Sequence, residues 1–187
     1  MGTYTSLANQ FLIAMPSLAD PNFSRTVTLL CEHTADGALG VVINRTLGMT
    51  LGDIFKQLDI DPRQARNSGS PVYQGGPVQN DQGFVLHAPL GNWESTLPVS
   101  DTLGLSTSRD ILRAIAEDRG PDNWLVALGY AGWGPGQLEQ EITGNAWLNG
   151  PADNNIVFGV PEEQRWQAAA TKLGVDLSTL SGDAGHA

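Results

Sequence analysis

Cys31 and His33 stand two residues apart in the stretch TVTLLCEH, and a strand there would turn both side chains to one face. A thiol beside an imidazole can lose its proton more readily and act as a nucleophile or a redox sensor. The competing reading is structural, because a lone cysteine in an apolar strand is more often a small buried hydrophobe.

The stretch ALGYAGWGPGQLEQEI, residues 127–142, raises a second question, since a glycine-rich turn between strand and helix can cradle a phosphate. That chemistry needs a lysine in the loop or a completed dinucleotide fingerprint. The only lysines are Lys56 and Lys172, and Gly132, Gly134 and Gly136 run on into Gln137-Leu138-Glu139. Glu139 and Glu141 further disfavour a bound phosphate at the helix start. A structural alternative makes Gly134 the N-cap and Pro135 the first helical residue, with Trp133 stapled onto Leu138. Recognition is then restricted to a neutral ligand or peptide stacking on Tyr130 or Trp133.

Other constellations are weaker. No H-E-x-x-H or C-x-x-C occurs, and Cys31, His33 and His87 would have to converge by folding alone, so neither a metal nor a cofactor is expected. A G-x-S-x-G elbow is absent. Asn44 and Arg45 close one apolar run, and Gln74-Gly75-Gly76-Pro77 closes another. With Tyr130, Trp133 and Gln137 they outline a candidate cleft, although turn-making explains them as well.

These residues must be positioned by a chain of 187 residues, long enough for one substantial core and short for two domains. Its 41% apolar and 16% charged residues describe a globular protein, and 22 Gly with 11 Pro imply many turns between short strands. Ten Lys and Arg against 20 Asp and Glu leave a net charge of −10, which repels phosphate backbones and anionic membranes. One cysteine excludes a disulfide framework and fits a reducing cytosol. The N-terminal MGTYTSLANQFLIAMPSL carries no basic region and only a short apolar run, so neither a signal peptide nor a membrane span is expected.

Strands are predicted at 11–14, at 24–33 and 38–45 as a hairpin, at 72–78 and 83–87, near 94–99 and 102–106, at 124–130 in the sheet's middle, around 146–148, and at 155–158. Helices are predicted from the Thr50/Asp53 capping box through Leu58, over 108–119 capped by Thr107, and over 162–173. A single domain spans 1–180, followed by a disordered tail at 181–187.

Four motifs occur in order: FSRTVTLLCEH…GALGVVINR at 23–45, YQGGPV at 73–78, GFVLH at 83–87, and LGYAGWGPGQLEQEI…NAWL at 128–148. Together they closely resemble the AlgH/YqgE family of small bacterial proteins over nearly the whole chain. The resemblance implies an α+β fold in which a bent, branching, mostly antiparallel sheet forms a pseudo-barrel flanked by helices. It also implies a cytoplasmic protein without an established biochemical activity, and some members are labelled transcriptional regulators. The family's motif positions fall on Asn44, Arg45, Gly75, Gly76, Pro77, Gly129, Tyr130, Gly132, Trp133, Gly134, Gly136 and Gln137. No helix-turn-helix pattern is present and the charge has the wrong sign for phosphate contacts, so direct DNA binding is disfavoured. The expectation is a non-enzymatic regulatory or binding protein acting through a protein or small-molecule partner. The alternative is a thiol-based sensor or an enzyme centred on Cys31.

Overall fold

Strand β9 (Asn123–Trp133) organises the sheet. Its sequence, NWLVALGYAGW, is apolar at successive positions, as a strand covered on both faces requires. Leu125 and Ala127 enter one core while Val126 enters another. The computed structural model describes residues 6–61 and 67–183, of which 181–183 by backbone alone.

One edge of β9 pairs antiparallel with β6 (Val78–Ala88). The other edge is divided: β3 (Gly37–Val42) takes residues 131–133 antiparallel, and β5 (Pro71–Gln74) takes residues 127–128 in parallel. The sheet therefore forks at β9. Beyond β3 it continues through β2 (Val27–Thr34), β1 (Gln10–Ala14) and β10 (Trp147–Pro151); beyond β6 it continues through β8 (Gly104–Ser106) and β7 (Thr96–Pro98), while β4 (Thr46–Thr50) flanks β5. The curled, mostly antiparallel sheet makes a half-barrel, and the expected α+β architecture is the one observed.

Helices cover the sheet in three places. Against one face, Ile156 and Val157 of α4 (Asn154–Phe158), Ala169 and Ala170 of α5 (Arg165–Lys172) and Leu177 of α6 (Leu177–Asp183) pack on Phe11, Leu29 and Leu125. A second cluster joins α1 (Leu51–Gln57) and α2 (Arg109–Ala116) to Val72, Val85 and Val126. The third puts Leu138 of α3 (Gln137–Thr143) on Leu12, Leu30, Ala131 and Trp133. Each fully buried Leu, Ile or Phe contributes about 1.5–3 kcal/mol of transfer free energy.

The Thr50/Asp53 capping box is present at the start of α1. Three local expectations are corrected. Residues 155–158 belong to helix α4 rather than a strand: a four-residue apolar run has no readable period, and the Asp153 carboxylate accepts from the Asn155 N–H to start a helix. Helix α2 takes Ser108, not Thr107, as its N-cap and ends at Ala116, with Asp118 in the left-handed region at φ 61°. Helix α3 begins at Gln137 instead of Pro135, because residues 134–137 close a turn in which the Gln137 N–H donates to Gly134 O and Gly136 adopts φ 75°. At the C-terminus the backbone stays helical through Asp183, and 184–187 lie outside the described residues.

Candidate functional site

Cys31 and His33 do not share a face. The β2–β3 ladder shifts register between Leu30 and Glu32, so Cys31 is an extra residue in a β-bulge, and such an insertion resets the side-chain alternation. Cys31 joins Leu29 and Val41 in the first core, 2% exposed. Burial pushes its thiol well above the ordinary range, with the Glu32 charge adding to the effect. His33 instead reaches α3. Its Nδ1 accepts from the Leu7 N–H at 2.9 Å, which leaves the proton on Nε2 to be donated to Glu139 Oε2 at 3.1 Å. The imidazole thus ties β2 to α3 and to the chain entering β1.

The polar groups at the hairpin end are used in holding the chain. Asn44 Oδ1 accepts from the Val27 N–H at 2.9 Å, and its Nδ2 donates to Arg25 O at 3.0 Å. Arg45 donates from Nη1 to Pro21 O and from Nη2 to Ser24 O, clamping the loop before β2. Gln74 donates its backbone N–H to Arg45 O, and Gly75 donates to Leu128 O, both at 2.8 Å. A Cβ on Gly75 would lie 2.3 Å from Gly129 O, and one on Gly76 would lie 2.1 Å from Tyr130 C. The QGGP and GYAG motifs are therefore two halves of one close backbone crossing at the fork of the sheet.

Trp133 is fully engaged. Its Nε1–H donates to Glu141 Oε1 at 3.0 Å, the Trp147 indole donates to the same oxygen at 2.9 Å, and Gln137 Nε2 donates to Glu141 Oε2 at 2.9 Å. The two indoles meet edge-on with centroids 6.2 Å apart, and Phe23 packs against both. Trp133 and Leu138 both belong to the third core, although the later helix start removes the staple geometry that a helix from Pro135 would give. Tyr130 packs edge-on against Phe84 and borders a shallow depression that also includes Glu32, Asp36 and Gly132.

A buried polar chain not anticipated from sequence runs through His87. Its Nδ1–H donates to Pro89 O at 3.0 Å, so Nε2 accepts from Ser106 Oγ at 2.7 Å, and Thr96 Oγ1 donates to Ser106 at 2.7 Å. Both His87 and Ser106 are fully buried, so the pair is closed to substrate. Desolvation depresses the His87 pKa below its usual 6.5. A folded-state value below the unfolded one means that the unfolded chain binds protons first, so stability falls as pH drops through and below 6.5. Asp53 and Asp153, held low by the Thr50 N–H and by Lys172 respectively, add their own losses only in the carboxylate range, below about 4. Thermal melts between about pH 7.5 and 5 should therefore show a decline in Tm that is absent in His87→Gln.

A cleft of about 470 Å³ opens between α1, α2 and the β6–β9 pair. Met49, Ile54, Leu58, Leu112, Val126 and Leu128 form its floor. Its rim is built by a bulge: the four residues 79–82 of β6 stand opposite the single Gly129 of β9, which throws Asn80, Asp81 and Gln82 outward. Arg109 completes the rim and donates to Leu58 O, bracing α2 against the end of α1. None of these was a candidate from sequence. The signal available was the polar interruption QNDQ inside an otherwise strand-like run.

The family model described as AlgH-like, DUF179, matches residues 11–178. A UPF0301 protein of Thioalkalivibrio sulfidiphilus is 57% identical over 187 residues, and one of Nitrosococcus oceani 54% over 187 residues, each match covering both chains completely. The solution structure of the AlgH protein from Pseudomonas aeruginosa is 50% identical, with a TM-score of 0.80 over 100% of this chain and 99% of that one. The crystal structure of protein DIP2367 from Corynebacterium diphtheriae, at 20% identity and a TM-score of 0.75, covers 97% of this chain and 94% of its own and shares the fold. With its forked half-barrel, its interlocked QGGP and GYAG motifs and a family match across nearly its whole length, the chain belongs to the AlgH-like family.

Proposed function

We propose that this protein is a cytoplasmic, non-enzymatic binding protein that acts indirectly, by taking the apolar part of a small molecule or of a partner protein into the α1–α2 cleft. The observation that carries the reading is the cleft itself: an open volume of about 470 Å³ with an aliphatic floor and an amide-rich rim. Ligand sites of roughly 300–1,000 Å³ are built in this way, apolar in the main with a few polar groups to orient the guest. The lining holds Asp81 and Thr107 but no Cys, His, Ser or Lys beside them to complete a nucleophile–base or acid–base pair. The charge of −10 argues against direct contact with nucleic acid, so any effect on transcription runs through the partner. Among the described residues no helix is long and apolar enough to cross a membrane.

Gly83 provides the test, since it lines the cleft and a Cβ there meets nothing within 4 Å. Native mass spectrometry of protein captured gently from its own cell extract should show a retained small molecule or discrete protein partner. Gly83→Trp, with an unchanged circular dichroism spectrum, should reduce that retention at least about tenfold by filling the cleft. Turnover of a metabolite by the pure protein, abolished by the same substitution, would overturn the non-enzymatic reading.

A further inference from the structure

Arg165 opens helix α5 and is 5% exposed, yet no carboxylate among the described residues pairs with it. A guanidinium carries five N–H donors. Two are used: Nε donates to Val160 O at 2.8 Å and Nη1 to Ile43 O at 2.5 Å. The remaining three find no protein acceptor among the described residues, and a buried charge left without a counter-charge is costly. The guanidinium also lies over the Tyr73 ring, 5.2 Å from its centroid, which leaves its edge available for bonding in its own plane.

Arg165 lines a second cavity, of about 160 Å³, which shares only Val126 with the apolar cleft. Tyr73, Trp124 and Phe158 wall it with aromatic rings, and Ser70 and Pro71 stand beside them. The Ser70 and Tyr73 hydroxyls make no hydrogen bond among the described residues, and neither is sealed away as a buried orphan. Charge, unused donors and hydroxyls are thus gathered in a recess with apolar walls. A cavity of this size accommodates a molecule about as large as benzene.

We propose that this recess is a binding site for a small organic monocarboxylate: the carboxylate takes the free edge of Arg165 and the hydroxyls of Tyr73 and Ser70, and a short apolar or aromatic body lies against Trp124 and Phe158. Arg with a planar two-oxygen anion is the pairing that satisfies both the charge and the fork of donors. An inorganic anion would meet the charge but leave the aromatic walls without a guest.

The test titrates the full-length protein with sodium benzoate while following the Trp124 indole resonance by ¹⁵N-correlated NMR. Benzyl alcohol serves as the neutral isostere and inorganic phosphate as the anion without an apolar body. Benzoate should produce a saturable shift, with benzyl alcohol and phosphate each at least about tenfold weaker, as the loss of a charge-assisted bond or of the apolar contact dictates. Because Arg165→Met removes two structural bonds and can fail to fold, Tyr73→Phe and Ser70→Ala accompany it; each should weaken benzoate a few-fold while leaving benzyl alcohol unmoved. No saturable shift, equal binding of benzyl alcohol, or tighter binding of phosphate than of benzoate would overturn the proposal. Occupancy of this site is read at Trp124, outside the cleft that Gly83→Trp fills, so each result stands independently of the other.

Discussion

Gly129→Ala is expected to lower the stability of the protein by about 3 kcal/mol or more, the combined scale of a strained left-handed residue and of overpacking. Gly129 sits at φ 80°, where an L side chain is strained, and a Cβ there would come within 2.3 Å of Gly76 O and 3.1 Å of Asn80 Cα. Relief is blocked from both directions. Gly75 donates its N–H to Leu128 O, so the β5 segment cannot withdraw without breaking its pairing with β9. On the other edge, the bulge of β6 is anchored by the Val78–Tyr130 and Gly83–Leu128 pairs on either side of Gly129. The fork of the sheet therefore has no room for a methyl group. For a chain of this length the loss corresponds to a fall in Tm of roughly 6–12 °C, at about 2–4 °C per kcal/mol. Gly48→Ala is the control: nothing lies within 4 Å of its would-be Cβ, and its melting point should move by no more than a degree or two. A Gly129→Ala protein as stable as Gly48→Ala would show that the crossing is looser than the structure gives it.

Glu141→Ala is expected to cost about 2–6 kcal/mol, because it strips the acceptor from two buried indole N–H groups at once and each orphan costs on the order of 1–3 kcal/mol. Trp133 and Trp147 are 6% and 4% exposed, so water cannot readily replace the lost carboxylate. Glu141→Gln keeps one oxygen in the place that both indoles address and should cost only about 1 kcal/mol. Urea unfolding followed by tryptophan fluorescence measures both variants, and near-ultraviolet circular dichroism reports the edge-on indole pair directly. Equal losses for Ala and Gln would mean that the carboxylate charge, not its acceptor position, holds the cluster. The same glutamate first reads as a charge that keeps phosphate away from a helix start; the fold makes it the acceptor that joins β9, α3 and β10.

The elements legible in the chain are those whose signals lie within a few residues of one another. The Thr50/Asp53 box is a local bond and appears as expected. The hairpin of β2 and β3 follows from turn residues between two apolar runs, and the central place of β9 follows from apolar residues on both faces. The motifs at 73–78 and 128–148 marked the family correctly, and the structure supplies a reason for their glycines in the backbone crossing at the fork.

Other features depend on partners distant in sequence. That Cys31 and His33 face opposite ways depends on a bulge, which only the pairing of β2 with β3 defines. Asn44, Arg45 and Gln137 have the residue types of a binding site, yet their bonds go to Pro21, Arg25, Val27 and Glu141. The α1–α2 cleft and the Arg165 recess draw on residues separated by up to a hundred positions, with no spacing rule to betray them. Sequence alone determined most of the strands and helices, the sign of the long-range field and the family, because periodicity, capping and net charge are sums over neighbours, whereas a short apolar run such as 155–158 has no period to read. Tertiary structure alone decided which polar groups are spent on holding the chain and which remain available, because a hydrogen-bond donor is satisfied by whatever the fold brings within about 3 Å, wherever it lies along the chain.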